Sequence, residues 1–135
     1  MHTVYLSLGT NLGNKQSNLD NAINLIAERV GTLSAISSVY ETEAWGFQSE
    51  NSFLNMAVKV ETKLTPFEIL SATKEIEKEL GRTEKTSTAY QDRVIDIDII
   101  FYDNLLLQSE ELKIPHPLYK ERDFVTKPLN EIKKA

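Results

Sequence analysis

The chain has 135 residues, the size of one domain, with 41% hydrophobic and 26% charged residues, a balance that excludes disordered and fibrous classes. A formal net charge of −5 argues against a general nucleic-acid binder, which needs a positive footprint, but leaves room for a small basic site that grips a polyphosphate. With no cysteine, the fold cannot rest on disulfides, and any metal must take oxygen or imidazole ligands, which favours a hard cation such as Mg²⁺.

The start, Met1-His2-Thr3-Val4-Tyr5, has no basic segment followed by an apolar run, and no stretch approaches the roughly 20 apolar residues of a membrane span; a cytoplasmic protein with no membrane role is expected. From Thr3 to Leu8, Val4, Leu6 and Leu8 alternate with polar residues, the period of a strand. Gly9-Thr10-Asn11-Leu12-Gly13-Asn14 reads as a turn that either holds an anion or reverses the chain. Leu19, Ala22, Ile23, Ile26, Ala27 and Val30 then repeat at helical spacing up to Gly31, expected as a C-terminal cap. Leu33 to Glu41 has the β-branched and aromatic content of a second strand, and Leu54, Met56, Val58 and Val60 alternate as a third. Phe53 shares its face with Asn55.

Thr65-Pro66-Phe67-Glu68 is a strong helix start, with a threonine cap, proline at the first helical position and a glutamate to close a capping box. That helix runs to Gly81. Arg82 to Asp92 is polar and without period, a loop of a length usually tied to function. The last strand carries Ile95, Ile97, Ile99 and Phe101 on one face, against Val94, Asp96, Asp98 and Ile100. The order βαββαβ describes a ferredoxin-like α+β sandwich, an antiparallel sheet covered by two helices, in one domain over residues 1–135. Beyond Asp103 a short extension is expected, with a hairpin around Asn104 and a rigid turn at Ile114-Pro115-His116-Pro117.

Asp96 and Asp98 carry the most chemical information, because residues two apart on a strand project from one face and can share a cation. A lone pair of this kind is often a solvated strand face. Here the carboxylates are flanked by Val94 and Ile100, and their mutual repulsion calls for a counter-charge, which a bound Mg²⁺ supplies. Arg82, Arg93 and Arg122, with His116, could converge on the same place, as phosphoryl transfer requires, although each taken singly is an ordinary surface residue. Phe53 and Asn55 pair an aromatic face with an amide, the means of gripping a flat heterocycle, and Phe124 could be the second jaw. Glu77 lies in register with Leu70, Thr73 and Leu80, facing either this site or solvent. Neither of the common glycine-rich phosphate-loop motifs is present.

Gly9-Thr10-Asn11-Leu12, Phe53-Leu54-Asn55, Glu77, Gly81-Arg82, Arg93-Val94-Ile95-Asp96-Ile97-Asp98, Ile114-Pro115-His116 and Arg122-Asp123-Phe124 together resemble the 6-hydroxymethyl-7,8-dihydropterin pyrophosphokinase family of folate biosynthesis. The resemblance runs along nearly the whole chain. It implies a monomeric, ferredoxin-like kinase that transfers pyrophosphate from ATP to the pterin hydroxymethyl group and releases AMP, with two Mg²⁺ ions held by Asp96 and Asp98. It further implies that the pterin lies between Phe53 and Phe124, with Asn55 on its edge and backbone groups near Thr42, Glu43, Ala44 and Trp45. Arg82, Arg93, His116 and Arg122 would contact phosphates, with Arg82 and Arg93 catalytic, and Lys74, Glu77, Tyr90 and Ile99 would surround the nucleotide. The segments Trp45 to Asn51 and Thr83 to Asp92 would close over the substrates. A ligand-sensing regulatory domain and an RNA-recognition domain share the topology, but the first gives no reason for the paired acids and the second needs a basic face.

Overall fold

The computed structural model describes residues 1–42, 52–81 and 94–133. Strand β1 (His2–Thr10) alternates as its sequence dictates, and Val4, Leu6 and Leu8 are at most 1% exposed. Helix α1 (Lys15–Arg29) starts at Asn14, whose side-chain oxygen accepts the Ser17 N–H at 3.1 Å, and it buries Leu19, Ala22 and Ile26. Gly31 follows the C-cap residue Val30 and closes the helix end as expected, its N–H donating to the Ile26 carbonyl at 3.2 Å, but it is glycine for a further reason. Its backbone is not left-handed, and a Cβ there would lie 2.2 Å from the Glu61 carbonyl oxygen, so the residue is small because two backbones meet.

Helix α2 (Pro66–Gly81) opens on the expected capping box: Thr65 N–H donates to Glu68 Oε1 at 2.8 Å, and Glu68 N–H donates to Thr65 Oγ1 at 3.2 Å. The single strand expected over Leu33 to Glu41 is two, β2 (Thr32–Ile36) and β3 (Tyr40–Thr42), both antiparallel to β4 (Phe53–Thr62). The serines break it. Ser37 Oγ accepts the Ala57 N–H at 2.9 Å, taking a place in the ladder that backbone would otherwise fill, and Ser38 N–H leaves the sheet altogether for Glu131. With β5 (Asp96–Tyr102) the main sheet runs in the order β2-β4-β1-β5, with β3 beside β4.

One face of this sheet meets α1 and α2 over a core that includes Val4, Leu6, Leu8, Met56, Val58, Val60, Ile95, Ile97 and Ile99. The expected alternation of β5 fails at its end. Leu6 pairs with Ile99 but Tyr5 pairs with Phe101, so Ile100 is an extra residue in β5. This bulge puts Tyr102 in the core with Ile99 and turns Phe101 to the opposite face, correcting the sequence reading that placed Phe101 with Ile95, Ile97 and Ile99.

That opposite face is covered by a helix the sequence reading did not contain. α3 (Asp123–Lys133) packs Val125, Leu129 and Ile132 over Ala57 and Ile100, so the sheet has helices on both sides rather than two helices on one. Around Asn104 the chain makes a turn closed by Leu105 N–H to the Tyr102 carbonyl at 2.9 Å, instead of a hairpin. Strand pairing resumes only in the small sheet of β6 (Leu107–Gln108) and β7 (Lys113–Ile114). A short 3-10 turn, Tyr119–Glu121, then leads into α3.

Candidate active site

Gly9 in the central strand pairs with Asn55 on one side and Asp96 on the other. Residues directly opposite in antiparallel strands share a face, so Asn55, Gly9 and Asp96 form one row across the sheet. The next row is Ala57, Ser7 and Asp98. With strands ~4.8 Å apart, Asn55 and Asp96 stand about 10 Å from each other, and Asp98 lies roughly 7 Å along β5 from Asp96. Both aspartates are half-buried and lie on the same face as α3.

Gly9 is the floor between them. A Cβ at this position would come 3.2 Å from Asn55 Oδ1, which would have to give by a few tenths of an ångström, and would meet Phe53 Cδ1 in ordinary contact at 3.7 Å, so both side chains lie over the glycine. Asn55 is only 2% exposed, and its Nδ2 donates to Thr42 Oγ1 at 2.8 Å and reaches the Tyr40 carbonyl at 3.5 Å. Its amide nitrogen is therefore spent on β3, and the group turned toward the Gly9 face is the carbonyl oxygen, an acceptor for ring N–H donors.

Glu77 faces neither solvent nor the aspartate row but the outer edge of β5. Its Oε2 accepts the Ile97 N–H at 2.7 Å, between the two aspartates in sequence. Its side chain is 18% exposed, whereas Lys74, with Nζ 3.9 Å from Glu77 Oε1, is 67% exposed. A charge-assisted bond of this kind contributes about 2 kcal/mol and holds the segment that carries both acids. Thr10, fully buried, donates from Oγ1 to the Val94 carbonyl and accepts Asn18 Nδ2 at 3.2 Å, so the glycine turn fastens the approach to β5. Ile99 points its side chain into the helix-side core, leaving only its backbone for a ligand.

At the start of α3, the Arg122 guanidinium lies over the Phe124 ring, 5.7 Å from its centroid, and Phe124 packs against the cluster formed by Ala57 and Ile100. His116 is close enough for the charge of Arg122 to act on it. Burial first, and that charge second, hold its imidazole below the ordinary histidine value. His116 Nδ1 accepts the Leu118 N–H at 3.3 Å, and a neutral ring with an accepting Nδ1 carries its proton on Nε2.

Asp96, Asp98, Phe53, Asn55, Thr42 and Phe124 are thus brought to one face of the sheet, with His116 and Arg122 at the head of its covering helix. Lys74 and Glu77 stand beside the β5 edge. Glu43, Ala44, Trp45, Arg82, Tyr90 and Arg93, and both expected closing segments, lie outside the described residues. The sequence reading missed Glu131, Ser38 and Tyr40, which tie α3 to the β2–β3 connection. The helical spacing of Val125, Leu129 and Ile132 was the available signal, masked by Pro128 inside the helix.

In class, an α+β sheet with paired acids and an aromatic–amide corner on one face fits an enzyme that brings a polyphosphate to a flat acceptor ring. Residues 5–134 match the family model described as 7,8-dihydro-6-hydroxymethylpterin-pyrophosphokinase (HPPK). The chain is 48% identical over 134 residues to the 2-amino-4-hydroxy-6-hydroxymethyldihydropteridine pyrophosphokinase of Porphyromonas gingivalis, covering 98% of this chain and 91% of that one. It is 43% identical to the enzyme of the same name from Aquifex aeolicus, covering 98% and 81%. The wild-type HPPK-DHPS crystal structure from Plasmodium falciparum superposes with a TM-score of 0.73 at 19% identity, and the match spans 98% of this chain but 40% of that one; at this identity the likeness speaks for the fold. The chain belongs to the pyrophosphokinase family. It is an enzyme of folate synthesis that transfers pyrophosphate from ATP to hydroxymethyl-dihydropterin.

Proposed function

We propose that the Asn55–Gly9–Asp96 row is the axis of this reaction, with the pterin over its Asn55 end and the ATP phosphates over its Asp96 end. The observation that carries this reading is the double pairing of Gly9, which sets an aromatic–amide corner and a carboxylate pair on one face about 10 Å apart. The pterin stacks between Phe53 and Phe124, gives its ring N–H groups to Asn55 Oδ1, and is completed by Thr42, Glu43, Ala44 and Trp45. His116, with its proton on Nε2, and Arg122 donate to phosphate oxygens, joined by Arg82 and Arg93, while Lys74, Glu77, Tyr90 and the backbone of Ile99 line the nucleotide.

Asp96 and Asp98 suit Mg²⁺ by their chemistry: hard oxygen donors on one face, in a chain with no cysteine. Among the described residues no group of three metal-ligating side chains forms, so most coordination places fall to phosphate and water oxygens, which is how Mg²⁺ is ordinarily bound. Two such ions, when bound, neutralise charge on the triphosphate. Asp96 and Asp98 hold that end of the substrate still while the pterin, fixed by Phe53 and Asn55, presents its hydroxyl in line. The hydroxyl oxygen forms a bond to the β-phosphorus, the bond from that phosphorus to the α,β-bridging oxygen breaks, AMP leaves with that oxygen, and the hydroxyl proton is released.

The fold supports the ferredoxin-like description, since β1 and β5 are neighbours at the centre and edge of a sheet ordered β2-β4-β1-β5 with α1 and α2 on one face. We read residues 1–135 as one catalytic domain, monomeric and cytoplasmic; no helix among the described residues is long and apolar enough to cross a membrane. AMP release from ATP, Mg²⁺ and hydroxymethyl-dihydropterin tests the axis directly. Asp96→Asn should slow it by about 100-fold with the fold intact. Near-normal turnover with an unchanged magnesium requirement would remove Asp96 from the site.

A further inference from the structure

The carboxylate of Glu131 has an unusual set of partners for an exposed helical glutamate. Oε1 and Oε2 accept the Ser38 N–H at 3.1 and 3.0 Å, Oε2 also accepts Ser38 Oγ–H at 3.0 Å, and Oε1 accepts the Tyr40 hydroxyl at 2.7 Å. These donors come from Ser38, between β2 and β3, and from Tyr40, the first residue of β3, and they include a backbone N–H that has left the sheet. An ordinary surface ion pair is screened and loose; a carboxylate shared among two hydroxyls and an amide is fixed in direction.

Two lines of contact lead from this carboxylate to the pterin pocket. Along α3, Phe124 precedes Glu131 by seven residues, two helical turns, so both side chains lie on the same side of the helix, about 10 Å apart. Across the sheet, Tyr40 pairs with Asn55 and Thr42 pairs with Phe53, and Asn55 Nδ2 bonds to Thr42 Oγ1 and reaches the Tyr40 carbonyl. One residue therefore grips the tyrosine whose backbone faces Asn55, and belongs to the helix that carries Phe124. From this juxtaposition we infer that Glu131 is a positioning residue for the pterin: it fixes α3 against β3 and so sets the gap between Phe124 and the Phe53–Asn55 corner.

The tyrosine hydroxyl first, and the Ser38 amide next, hold the Glu131 carboxyl below the usual carboxylate range, so the clamp is charged at neutral pH. Glu131 touches no reacting atom, and loosening it changes how well the pterin is held while the phosphate end is left in place. The inference rests on the reading that the pterin lies between Phe53 and Phe124.

The test measures KM for hydroxymethyl-dihydropterin, KM for ATP, kcat and thermal midpoint for Glu131→Ala, Glu131→Gln and Tyr40→Phe, beside Phe124→Ala and Asn55→Ala. Glu131→Ala should raise the pterin KM about 10-fold, with the ATP KM and kcat within about twofold. Glu131→Gln keeps the acceptor oxygen for Tyr40 and should recover part of the loss, and Tyr40→Phe should show a smaller rise of the same kind. A lowered thermal midpoint with an unchanged pterin KM, or equal rises in both KM values, overturns the positioning role. If Phe124→Ala and Asn55→Ala raise the pterin KM while all three clamp variants leave it unchanged, only this inference fails. If Phe124→Ala and Asn55→Ala also leave it unchanged, the pocket reading itself fails. Should Glu131→Ala not fold, Glu131→Gln and Tyr40→Phe decide the matter alone.

Discussion

On the face under α1 and α2, β1 and β4 present unbroken apolar rows, Val4, Leu6 and Leu8 beside Met56, Val58 and Val60, all at most 3% exposed. Turn the same strands over and the rows read Tyr5, Ser7 and Gly9 beside Phe53, Asn55 and Ala57, with Asp96 and Asp98 next to them. The strand period of two lets one set of residues fill the main core, while the alternate set packs under α3 at Tyr5 and Ala57 and carries polar groups at Ser7, Asn55, Asp96 and Asp98. The two faces should therefore respond differently to substitution, stability failing on one and activity on the other.

The largest effect is expected from Leu6→Ala, which empties a fully buried site on the helix side and should cost about 3 kcal/mol in urea unfolding, with turnover per folded molecule unchanged. Asp98→Asn should do the reverse, lowering turnover about 100-fold, or 2.7 kcal/mol of barrier, with the unfolding midpoint within experimental scatter of the parent. If Asp98→Asn instead unfolds the chain, the division between the faces is lost. Gly9→Ala sharpens it further: the new methyl group must displace Asn55 Oδ1 by a few tenths of an ångström, and pterin affinity should fall several-fold, about 1 kcal/mol, as read by equilibrium titration.

The smallest effect is on pH. His116 has a lowered value in the fold, so the unfolded chain binds more protons once the pH drops below about 6.5, and stability present above that point is lost as the pH falls toward the folded value. Urea midpoints at pH 7.5 and 5.5 should differ less for His116→Gln than for the parent. The carboxyls of Asp103 and Glu131, also lowered in the fold, add losses of the same sign only in the more acidic carboxylate range.

Local signals survived best where the sequence contained its own partner. Thr65 and Glu68 close their capping box within one turn, and the alternation of Leu54 to Val60 needs no knowledge of what covers it. The paired aspartates were legible for the same reason, since a strand fixes their common face. What failed depended on distant residues. The break between β2 and β3 is made by Ser37 bonding to Ala57 and Ser38 to Glu131, and the bulge at Ile100 is visible only against β1. Glu77 could be seen to stand near the site, but its bond to the Ile97 amide belongs to two elements 20 positions apart. Pro128 made α3 look like an extension, although it sits in the middle of the helix Asp123–Lys133, which continues past it.

The bond from Glu77 to Ile97 also protects the molecule against its own kind. β5 is the last strand on its side of the main sheet, and a terminal strand with unsatisfied amides invites a neighbouring chain to add itself in register. By occupying the amide between the two acids, the glutamate leaves an incoming strand no ladder to join there. Its removal should show in concentrated solution as association and turbidity, beside the loss of turnover that follows from loosening the segment that carries both acids.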